Sequence, residues 1–228
     1  ALYATQATQP DWTPTARSLA DPPEKALGKK GENWLMRELL PVFGATRQRI
    51  EITSPYFIPG DEGTAALAAL AERGVRVSIL TNSLAATDVA AVHGGYAPYR
   101  IPLLEAGVKL WELRPEPTGR AFSLRGSSSA SLHTKAFTAD GKTGFIGSMN
   151  LDPRSVSLNT EMDVLFDCPT ITAKMEAVWQ HDTAPDHSFA VSLTPDGALQ
   201  WHASDGGKAV TYDRDPEASF WRRLTARI

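Results

Sequence analysis

The stretch from residue 49 to 80 constrains the fold of this 228-residue chain more than any other. Residues 49–56 (RIEITSPY) read as a strand, 64–73 as an Ala/Leu-rich helix, and the VRVSIL run after Gly74 as a second strand. Gly74 stands just past the helix, where a residue tolerant of left-handed backbone ends it. A strand, helix and strand of these lengths require parallel strands joined by a crossover, so the chain builds an α/β sheet covered by helices.

The flanking sequence extends this pattern. Trp34, Leu35, Leu39, Leu40 and Phe43 recur at helical spacing over 33–43. A loop at 85–88 leads into a helix ending near Ala106, stopped by Gly107, and then a strand over 108–113. Residues 114–131 are rich in Pro, Gly and Ser and read as a mobile connection. Strands over 132–139 and 142–147 meet at Asp140-Gly141, a strong hairpin signal. A loop at 150–159, a strand over 161–166 and a helix over 169–180 follow, and short strands near Ser188, Leu199 and Val210 form a small antiparallel appendage. Residues 1–31 are polar and aperiodic and read as an extended arm or linker, leaving 32–228 as one domain. No internal repeat is evident.

Composition narrows the function. A net charge of −3 removes the broad electrostatic attraction of non-specific nucleic-acid binders. Cys168 is the only cysteine, so it forms no intramolecular disulfide. No stretch approaches the roughly 20 apolar residues of a membrane span. The N-terminus lacks the basic and apolar regions of a signal peptide. The first residue is Ala, and the sequence reads as a segment of a longer protein. No Cys/His cluster has metal-ligand spacing, so neither metal nor cofactor is expected.

One run carries chemistry: His133-Thr-Lys135, four residues, Asp140, six residues, then Gly147-Ser148-Met149-Asn150. On a strand, His133 and Lys135 project to one face. Lys135 is a cationic point charge suited to phosphate, and His133 is a nucleophile or proton carrier near neutral pH. Ser148 and Asn150, on the turn after the neighbouring strand, can donate hydrogen bonds to phosphoryl oxygens as charge develops. Asp140 either supports the turn or touches substrate. The other histidines, His93, His181, His187 and His202, open no second HxK and read as surface or structural groups.

This HxKx4Dx6GSxN run resembles the signature of the phospholipase D superfamily at every defined position. The following DPRSxxxNxE segment, Asp152 to Glu161, together with TSPYF at 53–57, TNSLAATDVAAVHGGY, LLEAGVKLWEL and the late DGG and FWRR elements, is similar to the C-type branch of its bacterial cardiolipin synthases. The resemblance implies a mixed sheet sandwiched between helices and a two-step exchange through phosphohistidine without metal. It also implies that Glu161, with Asp163 in reserve, hydrogen-bonds a catalytic imidazole. Enzymes of this branch carry two such motifs and this chain carries one. It therefore resembles the downstream half, with His133 as general acid and then general base, and Lys135, Ser148 and Asn150 holding the phosphate. The implied partners are a phospholipid such as phosphatidylglycerol, an upstream half of the same polypeptide or a second copy, and a peripheral contact with the bacterial inner membrane or a cytoplasmic location. The hydrophobic loop 55–59 with Tyr96 and Tyr99 are candidates for a lipid path. The alternative is a single-motif phosphodiesterase or nuclease completed by homodimerisation. A non-catalytic phosphate- or lipid-binding domain is a third reading, disfavoured by the intact motif.

Overall fold

The computed structural model describes residues 11–29, 34–115 and 132–226. In chain order the elements begin β1 (Arg17–Ala20), α1 (Met36–Ala45), β2 (Arg49–Thr53), α2 (Gly60–Glu72) and β3 (Arg76–Asn82). Then come α3 (Ala90–Tyr96), α4 (Arg100–Glu105), β4 (Lys109–Leu113), β5 (Lys135–Ala139), β6 (Thr143–Gly147) and α5 (Pro153–Ser157). The remainder is β7 (Met162–Asp167), α6 (Pro169–Asp182), β8 (Ser188–Leu193), β9 (Leu199–Asp205), β10 (Lys208–Tyr212) and α7 (Phe220–Thr225).

These strands form one mixed sheet in the order β1-β7-β6-β5-β2-β3-β4-β8-β9-β10. The predicted crossover holds: β2 and β3 are parallel neighbours, in register from Arg49 opposite Arg76 to Thr53 opposite Leu80. β4 continues the parallel set, and the remaining pairings are antiparallel. Helices cover both faces. Leu39, Leu67, Leu70 and Leu103 pack with Ile50, Ile79, Phe137 and Phe145 in the main core, while Trp179 of α6 closes the other face over Leu80 and Leu132. Alternation along β3 decides the split, since Ile79 faces one layer and Leu80 the other.

Four local expectations are refined. The hairpin turns at Asp140 (φ 52°) and Gly141 (φ 67°), both in the positive-φ region, but Ala139 lies opposite Thr143, so the connection is three residues long and β6 starts one residue later than read. The helix before Gly107 is instead two, α3 and α4, linked by a 3-10 turn over Ala97–Tyr99, where Pro98 removes an amide donor. The loop at 150–159 contains α5, capped by the Asp152 side chain with Pro153 at its first turn. The antiparallel appendage is continuous with the main sheet, because Leu110–Leu113 of β4 pair with Ser188–Val191 of β8.

The segment read as an extended arm is tied to the domain between residues 17 and 25. β1 pairs with β7, and Lys25 and Asp21 form a buried ion pair at 2.5 Å. Lys25 also donates to the Ser155 carbonyl at 2.7 Å, and Asp21 accepts the amides of Leu35 and Glu161. Removing one member of such a pair costs about 3–5 kcal/mol, so this corner is firmly held. The domain start expected near Glu32, and most of the 114–131 connection, lie outside the described residues. No helix among the described residues is long and apolar enough to cross a membrane.

Candidate active site

In α/β sheets ligands bind in the crevice beyond the carboxyl ends of the parallel strands. Antiparallel pairing of β5 with β2 brings Lys135, the first residue of β5, to that rim beside Thr53–Ser54. The end of β6 and the start of β7 meet at the same rim, with Gly147 opposite both Lys135 and Asp163. So His133, Lys135, Ser148, Asn150 and Glu161 converge, although 28 positions separate the first from the last in sequence.

Lys135 is only 9% exposed, and its Nζ donates to the His133 carbonyl at 2.7 Å. Burial lowers its pKa, and Glu161, Asp152 and Asp88 offset part of that effect. Among the described residues one of its three N–H donors is used, which leaves capacity for an anion. His133 is exposed, and it precedes β5 rather than sitting within it. The departure from the expected strand has a cause in Asn82, whose side chain binds the Leu132 backbone in both directions, at 3.0 and 3.3 Å. Leu132 thus bonds an amide side chain where a strand would bond its neighbour.

The turn after β6 is organised by two carboxylates. Asp163 Oδ1 accepts the amides of Ser148 and Met149 at 2.7 and 3.1 Å. A Cβ on Gly147 would overlap that oxygen, so only glycine fits there. Asp163 is 1% exposed, and burial, with smaller contributions from Glu161 and Asp21, pushes its pKa up to about 6 against the two amides. Its Oδ2 is buried without a partner. Glu161 accepts the Ser148 hydroxyl at 2.6 Å, while Ser148 Oγ accepts the Met162 amide at 2.9 Å. The Ser148 proton is therefore committed to Glu161, contrary to its expected role as a phosphate donor. Asn150 is 8% exposed, with Oδ1 buried and unmatched, a cost of about 1–3 kcal/mol that a bound donor or a flip of the amide relieves. Neither Glu161 nor Asp163 hydrogen-bonds the His133 ring in this half of the site.

Asp140 is not in the crevice. It lies at the other end of β5, about 17 Å along the strand. Its carboxylate accepts three backbone amides, from Arg47, Gln48 and Arg49, at 2.8–3.0 Å. Burial would raise its pKa, but these donors prevail and hold it below the usual range. Of the two readings open from sequence, its placement is that of a turn support. A cavity of about 780 Å³ opens beside it, walled by Arg17, Val42, Lys142 and Asp167, and this too is remote from His133.

Four site neighbours were given no part in the chemistry from sequence, Tyr56 having been read only within the 55–59 candidate lipid-path loop. Tyr56 donates to both oxygens of Asp88, at 3.0 and 2.9 Å, and burial followed by this bond pushes its phenol pKa up. Asp152 accepts the amides of Arg154 and Ser155 while adding negative potential at Lys135. Asn82 is the fourth. Asp152-Pro153 was legible as a helix start and Asn82 ends β3, whereas Asp88 and Tyr56 are placed by loops that carry no periodic signal. Arg222 of α7 fixes one such loop by donating to the carbonyls of Leu84, Ala85 and Thr87.

The remaining histidines stand apart. His93 is 3% exposed and meets Asp215 at 3.2 Å, and Arg100 bridges Asp215 and Glu112 at 2.8 and 3.3 Å. His93, Glu112 and Asp215 have ligand atoms within 4.8 Å of one another, but the Arg100 guanidinium already compensates the two carboxylates. His181 and His187 are surface rings 4.1 Å apart, and His202 is exposed between Ser192 and Thr211. Tyr96, a candidate for the lipid path, is instead in the core against Phe57, its hydroxyl pKa pushed well up by burial.

Comparison with known proteins places these features. The family described as "Cardiolipin synthase, PLD-like domain" matches residues 39–183. The chain is 40% identical over 225 residues to cardiolipin synthase C of Escherichia coli strain K12, covering 95% of this chain and 46% of that protein. It is 30% identical over 151 residues to cardiolipin synthase A of Proteus mirabilis, covering 66% and 28%. The chain thus spans less than half the length of these curated relatives. Among solved structures, Nuc of Salmonella typhimurium, a phospholipase D family member, superposes with a TM-score of 0.54 at 18% identity, covering 73% of this chain and 92% of that one. A phosphatidylserine synthase from Haemophilus influenzae gives 0.55 at 16% identity, covering 77% and 39%. Both share the fold.

Proposed function

We propose, from the premise that this chain belongs to the phospholipase D-like domain family of cardiolipin synthases, that it supplies one half of a phosphatidyl-transfer site and makes cardiolipin when joined to an upstream half. The reading rests on one observation: a nearly buried Lys135 ammonium at the rim, bonded to the backbone carbonyl of an exposed His133. Lys135 and Asn150 hold the phosphodiester of a phospholipid such as phosphatidylglycerol. An imidazole from the upstream half attacks phosphorus. His133 protonates the departing glycerol oxygen, and in the second step takes the proton from the incoming alcohol. Glu161 holds Ser148 and, with Asp152 and Asp88, offsets part of the effect of burial on the Lys135 ammonium. The chain meets the membrane peripherally, where its substrate resides.

The net charge of −3 and the 40% identity to a cardiolipin synthase favour this reading over a homodimeric nuclease. The test is phosphatidyl transfer from phosphatidylglycerol in mixed micelles, with and without the upstream half, each with His133→Ala. Turnover only in the reconstituted enzyme, lost in the variant, is the expected result. Turnover by the isolated chain, sedimenting as a dimer, would move the assignment to the homodimeric phosphodiesterase.

A further inference from the structure

A groove of about 520 Å³ runs between α1, α2 and the segment 151–157, within the roughly 300–1,000 Å³ typical of ligand pockets. Its walls are apolar: Met36, Leu40 and Phe43 on one side, Ala66 and Leu70 on the other, and Val156 across from both. Charged lining residues are confined to Glu62, Arg73 and Asp152. Leu40 is 45% exposed, unusual for a leucine on a core-packed helix.

Two features connect this groove to the candidate active site. Leu151 and Asp152 line the groove and directly follow Asn150, and Asp152 also acts on Lys135. The loop carrying Phe57 and Ile58 is joined to the same segment, since the Ile58 amide donates to the Leu151 carbonyl at 2.7 Å. α2 starts at the carboxyl end of β2, so the groove has its mouth at the rim and follows α2 from Pro59 to Arg73. A helix of this length spans about 20 Å, against about 15 Å for one leaflet's hydrocarbon layer.

We propose that the groove between α1 and α2 seats one fatty acyl chain of the phospholipid whose phosphate is held at Lys135. The proposal rests on the phosphatidyl-transfer reading and adds to it a determinant of chain length. The phosphate stays at the rim, and the acyl chain lies along α2, out of water. Binding then strengthens about fourfold for each methylene seated, and stops strengthening once the groove is filled.

Four methionines make the groove observable: Met36 lines it, while Met149, Met162 and Met175 do not. The experiment uses the chain labelled with ¹³C at its methionine methyls and two probes. One is lysophosphatidylglycerol bearing a nitroxide on the acyl chain, kept below its micelle concentration. The other is glycerophosphoglycerol, which has the headgroup alone. The nitroxide lipid is expected to broaden Met36 selectively and leave Met162, 65% exposed, sharp. Ala66→Trp, which fills the groove from an exposed position, abolishes that broadening, and Leu40→Trp does so from the opposite wall should the first variant fail to fold. The headgroup alone is expected to shift Met149, next to Asn150, and not Met36.

Broadening of Met162 equal to that of Met36 means adsorption to the surface and overturns the proposal. So does a Met36 signal that moves on dilution of the chain without lipid, which marks a contact between two copies. A Met149 response to the headgroup without Met36 broadening rejects the groove and leaves the phosphatidyl-transfer reading standing. No Met149 response to either probe, with the labelled chain joined to its upstream half, removes that reading itself.

Discussion

The two ends of β5 differ sharply, though only four residues lie between Lys135 and Asp140. At one end Lys135 is nearly buried and uses one donor among the described residues, Asn150 has an unmatched oxygen there, and Asp163 is an acid pushed up to about 6. At the other end, Asp140 accepts three amides and its carboxylate is stabilised. On the proposed function, the single signature HxKx4D divides into a chemical end and a structural end. The Asp140 carboxylate is matched by three donors, whereas Asn150 and Asp163 each keep an unmatched oxygen.

If that division holds, substitutions at the two ends separate activity from stability. His133→Ala gives the largest effect, a loss of at least about 10³-fold in transfer by the reconstituted enzyme. Its thermal midpoint does not move, because the ring is exposed. Lys135→Met lowers kcat by about 10²–10³-fold and leaves urea stability equal or raised, since burial already disfavours the ammonium. A strongly destabilised Lys135→Met would break the comparison by showing that the chemical end also carries structure.

Asp140→Ala does the reverse. Losing the three amide contacts and placing alanine at φ 52° costs about 2–3 kcal/mol in urea titration. The fraction that remains folded keeps its kcat. Asp140→Asn recovers most of the stability, because asparagine tolerates this backbone and retains one acceptor.

Asp163 gives the smallest and most diagnostic effect. Its folded pKa of about 6 lies above the ordinary carboxylate value, so the folded state binds more protons than the unfolded one between about pH 4 and 6. Stability therefore falls as pH rises through that window, by on the order of 2 kcal/mol, and is level above it. Asp163→Asn keeps an acceptor for Ser148 and Met149 and flattens the slope. Denaturation midpoints at half-unit intervals of pH measure it, and an unchanged slope in the variant would assign the titration elsewhere.

Much of this was legible in the sequence. The crossover, the Asp140-Gly141 hairpin and the convergence of His133, Lys135 and Asn150 follow from periodicity, turn chemistry and motif spacing. What escaped was set by contacts between distant segments. Arg17–Ala20 has no strand signature, and its strand exists because β7 offers it an edge. The commitment of the Ser148 hydroxyl to Glu161, and the shift of His133 out of β5 by Asn82, depend on side chains that meet only in the folded state. The motif fixes which residues gather, but the neighbouring loops decide what each is free to do.

The short strand β1 has a further consequence, for solubility. It pairs along the outer edge of β7, with Thr13 and Thr15 bonding the Asp167 backbone at the end of that strand, next to a sheet face where Ile146, Val164 and Met162 are 45%, 40% and 65% exposed. A chain trimmed past Ala20 would present a bare hydrogen-bonding edge flanked by greasy side chains, the arrangement through which sheets recruit copies of themselves into aggregates. Four residues with little to mark them act as a guard on that edge.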